Sequence, residues 1–99
     1  MGNFLYKLIP PRPTFPQDMT EAEQKIMQEH VMYWKGLIDE GTAIVFGPVA
    51  EPSGAWGLAI VEVEDEAAVH AIAMNDPTIK ANAGFDYKVC PMPQGVIKK

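Results

Sequence analysis

Several kinds of chemistry are nearly absent from this sequence. The 99 residues hold one cysteine, Cys90, one serine, Ser53, and two histidines, His30 and His70. A single cysteine excludes an internal disulfide and fits a reducing compartment. Without a partner thiol, and placed in an alternating strand, Cys90 reads as a small core group rather than a nucleophile. Ser53 sits in a proline–glycine turn that lacks the nucleophile-elbow pattern. The histidines fall on different predicted helices with no H-x-x-x-H or C-x-x-C spacing, so a structural zinc site is not expected. Neither G-x-G-x-x-G nor a P-loop is present, which leaves nucleotide binding through a glycine cradle unsupported. Basic residues are also few: eight Lys and Arg against thirteen Asp and Glu give a formal charge of -5. Such a chain is a poor match to a phosphate backbone, and nucleic acid is not an expected partner. No apolar run is long enough to span a bilayer. The start, MGNFLYKLIPP, has no basic segment leading into a long apolar one, and Tyr6 stands where myristoylation wants Ser or Thr. The expectation is a cytoplasmic protein with no membrane partner.

What is present is ordinary globular composition, 47% apolar and 21% charged. That predicts one small domain over residues 1–99. Asn3 to Ile9 is short and rich in strand formers. The four prolines of PPRPTFPQDM predict a stiff, partly extended loop and no helix. Thr20 to Glu23 has capping-box spacing, which starts a long helix that Gly41 ends as a left-handed cap. Ile26, Met27, Val31, Trp34, Leu37 and Ile38 form its apolar stripe. Thr42–Val49 is the second strand, Glu51–Gly54 a turn and Ala55–Glu64 the third strand. Asp65 caps a second helix, EAAVHAIAMN, with Val69, Ile72 and Ala73 inward. The pair Asp76-Pro77 breaks it and starts a short turn, with Asp76 as N-cap and Pro77 at the first position. Phe85–Met92 is the last strand.

The order βαββαβ predicts an α+β, ferredoxin-like fold, an antiparallel four-stranded sheet with two main helices on one face. The strands are apolar on both faces. Trp56, Leu58 and Ile60 share one side of the third strand, and Ala59, Val61 and Val63 the other. Two helices cover only one side. The open side predicts a second copy packed sheet to sheet, a homodimer of the α+β barrel type.

Two polar positions stand out. His30 lies in the apolar stripe, four residues after Ile26 and four before Trp34. A lone histidine there is most simply a half-buried ring bonded to a carbonyl. Asp76 alone is most simply an N-cap. His70 falls to the side of its helix and should be largely exposed. The acidic cluster Glu62, Glu64, Asp65 and Glu66 reads as a solvated strand end and helix start.

The segments EHVMYWKGLIDEGTAIVFGPV, WGLAIVEVEDEAAVHAIAMNDP and GFDYKVCPM together resemble the YciI-like, or YCII-related, proteins. The resemblance runs from Phe4 to about Met92. It is carried by a helix histidine, a Gly-Pro after strand two, an Asp-Pro after the second helix and a final strand ending near proline. It implies the same ferredoxin-like, dimeric fold. It also implies that His30 and Asp76 meet as a His-Asp dyad in a pocket. One characterised member of that family eliminates chloride from a chlorinated hydroxyhydroquinone, which implies acid–base chemistry on a small cyclic, enolisable or phenolic compound. Many members carry a basic residue shortly before the histidine. Here Met27 stands three before it and Lys25 is the nearest cation on that side, which leaves Arg12 of the proline loop as the substitute anion anchor.

An imidazole takes and gives protons near neutrality. A carboxylate on one ring nitrogen fixes the tautomer and leaves the other for substrate. Trp34, Phe46 and Tyr6 are the candidate aromatic walls, although such residues are more often plain core. A lid made by the proline loop would bring Arg12 and Phe15 to the ligand, but a packed surface loop is the simpler reading. The leading expectation is a cofactor-free enzyme of lyase, isomerase or dehalogenase type acting on a small molecule. The alternatives are a ligand-binding or accessory module that does no chemistry, and a structural clip without a pocket. A haem-using barrel is allowed by the fold class, but no sequence feature supports it.

Overall fold

The computed structural model describes residues 1–98. Four strands, β1 (Gly2–Ile9), β2 (Ala43–Val49), β3 (Trp56–Val63) and β4 (Asp86–Met92), make one antiparallel sheet in the order β2-β3-β1-β4. The long helices α2 (Glu21–Asp39) and α3 (Glu66–Asn75) alternate with them, which gives the ferredoxin-like arrangement. Two single turns, α1 (Phe15–Asp18) and α4 (Pro77–Lys80), complete the chain order.

Local signals set the helix ends. The capping box of α2 is closed in both directions, with Glu23 N–H to Thr20 Oγ1 at 3.1 Å and Thr20 N–H to Glu23 Oε1 at 3.0 Å. At the other end Gly41 has φ +82°, Gly41 N–H reaches the Ile38 carbonyl and Thr42 N–H the Leu37 carbonyl. That is a Schellman motif, and a side chain at its left-handed residue is strained. Gly41→Ala is therefore expected to lower stability by about 1 kcal/mol in urea unfolding. An unchanged midpoint would show that the turn relaxes.

The core lies between the helices and one sheet face. Tyr6, Leu8, Ala59, Val61 and Val63 of the sheet pack with Trp34 and Leu37 of α2 and Val69 and Ala73 of α3. A bulge between Ala43 and Val45 shifts the register of β2. Ala43 pairs with Val61 and Phe46 with Ala59, so both face the helices although they are an odd number apart. The opposite sheet face carries Leu5, Ile9, Leu58 and Ile60, all half-buried, and the exposed Val45.

Three expectations are corrected. The proline loop contains the one-turn helix α1, because Pro16 falls in its first turn, where no N–H is needed. Cys90 is exposed rather than a core group, because its register opposite Leu5 puts it on the open face. His70 is half-buried rather than largely exposed: Nδ1 lies 2.8 Å from the Tyr87 hydroxyl and Nε2 lies 3.2 Å from Glu66 Oε2.

Candidate functional site

Asp76 ends α3 and caps α4, and its side chain is fully buried. An isolated carboxylate there would be prohibitive, so its partners decide the site. Oδ1 accepts from the Thr78 N–H at 3.0 Å and the Thr78 hydroxyl at 2.8 Å. Oδ2 accepts from Trp34 Nε1 at 2.8 Å and the Tyr6 hydroxyl at 3.1 Å. His30 Nδ1 spans both oxygens, at 2.9 Å and 3.1 Å. The aspartate thus acts as N-cap and as anchor for the histidine at once. Five donors meet one carboxylate: one from β1, two from α2 and two from Thr78, the residue after Pro77.

The protonation pattern follows from these contacts. Burial pushes the Asp76 carboxyl up, but the hydrogen bond and charge of His30, with the Trp34 and Thr78 hydrogen bonds, hold it below the ordinary carboxylate range. Burial and the Asp76 charge push the Tyr6 phenol up, so it stays a donor. An ionised carboxylate only accepts, so His30 must carry its proton on Nδ1 when the ring is neutral. Nε2 is then the lone-pair nitrogen.

His30 also lines a cleft of about 330 Å³. The sheet residues Tyr6, Leu8, Ala59 and Phe46 floor it. Met27, His30, Val31 and Trp34 of α2 form one wall. Phe15, Pro16 and Met19, with Phe85 behind them, form the other. Nε2 makes no hydrogen bond among the described residues. Of the residues expected at the site, His30, Trp34, Phe46 and Tyr6 border this cleft and Asp76 stands behind it. Trp34 and Tyr6 have a second role as donors to Asp76, a role their buried N–H and O–H demanded but sequence gave no partner for.

Arg12 is elsewhere. Its Nε pairs with Asp18 Oδ1 at 2.7 Å, and its NH1 and NH2 reach Glu23 at 2.9 Å and 2.7 Å. That fork holds the Glu23 carboxyl down to about 2. Arg12 does not line the cleft. It ties α1, and so the wall made by Phe15, to the start of α2. Among the described residues no cluster of three or more His, Cys, Asp or Glu side chains is placed to hold a metal ion.

The family model of the YCII-related domain matches residues 7–93. The chain belongs to the YCII-related family. Solved structures that share the fold of this YCII-related chain include two proteins. The 5-chloro-2-hydroxyhydroquinone dehydrochlorinase of Burkholderia phenoliruptrix, in complex with 2,5-dihydroxybenzoquinone, superposes with a TM-score of 0.59 at 21% identity, over 86% of this chain and 90% of that one. An uncharacterized protein of Thermotoga maritima superposes with a TM-score of 0.51 at 9% identity, over 91% of this chain and 94% of that one. No curated protein matches the sequence. At these identities the likeness carries the fold alone. The chemistry rests on the side chains described above. No helix is long and apolar enough to cross a membrane among the described residues.

Proposed function

We propose that this YCII-related chain is a small enzyme that needs no cofactor and performs His-Asp acid–base chemistry on a small cyclic, phenolic or enolisable compound. The observation that carries the reading is the direction of the His30 ring: Nδ1 is held by Asp76 at 2.9 Å and 3.1 Å while the ring borders an apolar cleft. In this reading Nε2 removes a proton from a hydroxyl or from a carbon beside a carbonyl. The freed electron pair forms the new C=O or C=C bond. It either expels a leaving group from the ring or is reprotonated at another atom by the imidazolium. Asp76 stabilises the imidazolium meanwhile and remains ionised. Elimination of chloride from a hydroxylated ring, the reaction named for the Burkholderia structure, is one case of this class.

The test is solvent deuterium exchange, followed by NMR, into cyclic ketones, cyclic diketones and phenols. At least one probe is expected to exchange faster with the protein than in buffer. A second reading is a ligand-binding module that does no chemistry. It draws on the absence, among the cleft-lining side chains, of a free second donor to hold a developing oxyanion. Probes that shift the His30 ring without any exchange would select that reading.

We also propose that the chain pairs with a second copy through the open sheet face, in the cytoplasm. The support is the row of Leu5, Ile9, Leu58 and Ile60, half-buried with no helix over them. Sedimentation equilibrium is expected to give a dimer for the wild type and a monomer for Leu58→Glu. A monomeric wild type would refute the pairing.

A further inference from the structure

We propose that the cleft selects an uncharged, mainly apolar ring compound carrying a single hydroxyl or enol, and discriminates against carboxylates, phosphates and polyhydroxylated rings of the same size. This rests on the acid–base reading of His30 and narrows it to a substrate class.

The inference comes from where each polar atom of the lining is spent. Four lining residues carry a polar side-chain atom: Tyr6, His30, Trp34 and Trp56. The Tyr6 hydroxyl and Trp34 Nε1 both donate to Asp76. Trp56 Nε1 donates to Glu51 at 2.6 Å. His30 Nδ1 is held by Asp76. His30 Nε2 is the one polar side-chain atom left to a ligand. One free nitrogen satisfies one hydroxyl. A second hydroxyl, as on 5-chloro-2-hydroxyhydroquinone, would enter an apolar wall without a side-chain partner, and an unsatisfied buried hydroxyl is strongly disfavoured.

Charge works in the same direction. No Lys or Arg lines the cleft. Arg12, the chain's one arginine, is committed to Asp18 and Glu23. Lys7 lies over the Trp56 ring, 4.6 Å from its centre, and does not line the cleft. Asp76 places a negative charge directly behind the imidazole. With the imidazole neutral, an anionic ligand would therefore meet one like charge and no opposite one in a low-dielectric site. Size sets the remaining limit. A cavity of about 150 Å³ already holds benzene, so 330 Å³ takes a ring with an alkyl substituent or a second fused ring. Phe15, Phe46, Phe85, Trp34 and the flexible Met19 and Met27 supply the apolar contacts such a substituent needs.

The test uses three probes matched in size: para-propylphenol, para-propylbenzoate and propylhydroquinone. Binding to the full chain is read at mildly alkaline pH by tryptophan fluorescence and by the His30 ring resonances. The phenol is expected to bind at least about tenfold tighter than either of the others and to shift the His30 ring. Met27 borders the cleft one turn before His30, so Met27→Arg is expected to raise benzoate affinity to that of the phenol or above. Equal wild-type affinity for benzoate or hydroquinone, with the His30 ring shifted, overturns the selectivity and leaves the acid–base reading standing. If no probe shifts the ring, the acid–base reading itself fails.

Discussion

Asp76→Asn is expected to destabilise the protein by about 3 kcal/mol, measured by urea unfolding at neutral pH. Asparagine has nearly the same shape, so the loss reports chemistry rather than a cavity. The carboxylate accepts from Tyr6, His30, Trp34 and both donors of Thr78. An amide oxygen accepts about two of these bonds, and the amide NH2 then points at groups that are themselves donors. The residue is fully buried, so water cannot rescue the donors left over. The effect should fade in acid. The folded state holds the Asp76 carboxyl below its ordinary value near 3.9. As pH falls the unfolded chain takes up that proton first, so this part of the stability is present at neutral pH. It is lost as pH drops through the folded-state value. The gap between wild type and Asp76→Asn should be constant above about pH 5 and narrow below it. A variant within about 1 kcal/mol of wild type, with the same acid profile, would mean that the carboxylate holds nothing together.

The parts of this fold that were legible in the sequence are those set by neighbours along the chain. The Thr20–Glu23 box, the Gly41 stop, the Asp65 cap and the alternation of β3 each act over a few residues. The misreadings share a cause as well. Four prolines argued against any helix around Pro16, yet a single turn needs no N–H at its first positions. Strict alternation would have put Ala43 and Phe46 on opposite faces, and the bulge that joins them has no sequence mark. Alternation gives Cys90 a face without saying which face is covered, and the exposed one is where it lies. The site divides in the same way. Asp76 as a cap was local. Its meeting with His30, 46 residues away, came from a family resemblance, since no spacing rule connects two groups at that distance. A lone cation beside a candidate site, as Arg12 is in the sequence, invites a role at the ligand. The carboxylates of Asp18 and Glu23 that claim it come from the next turn and the next helix.

His30→Asn separates catalysis from architecture. Asp76 keeps four of its five donors, and the asparagine NH2 can replace the fifth, so the stability read by urea unfolding should fall by no more than about 1 kcal/mol. The aromatic walls are untouched, so apolar probes should still bind. Proton exchange should nevertheless fall by about a hundred- to ten-thousand-fold on any probe the wild type accelerates, because an amide has no titratable lone pair near neutrality. That is roughly 3–5 kcal/mol of transition-state stabilisation, larger than the stability change in the same molecule. A structural clip between α2 and the turn after α3 makes the reverse demand. It requires a stability loss comparable to that of Asp76→Asn and no change in exchange. The two measurements on one variant thus oppose each other, and a ring whose removal costs stability but not rate would return His30 to the core.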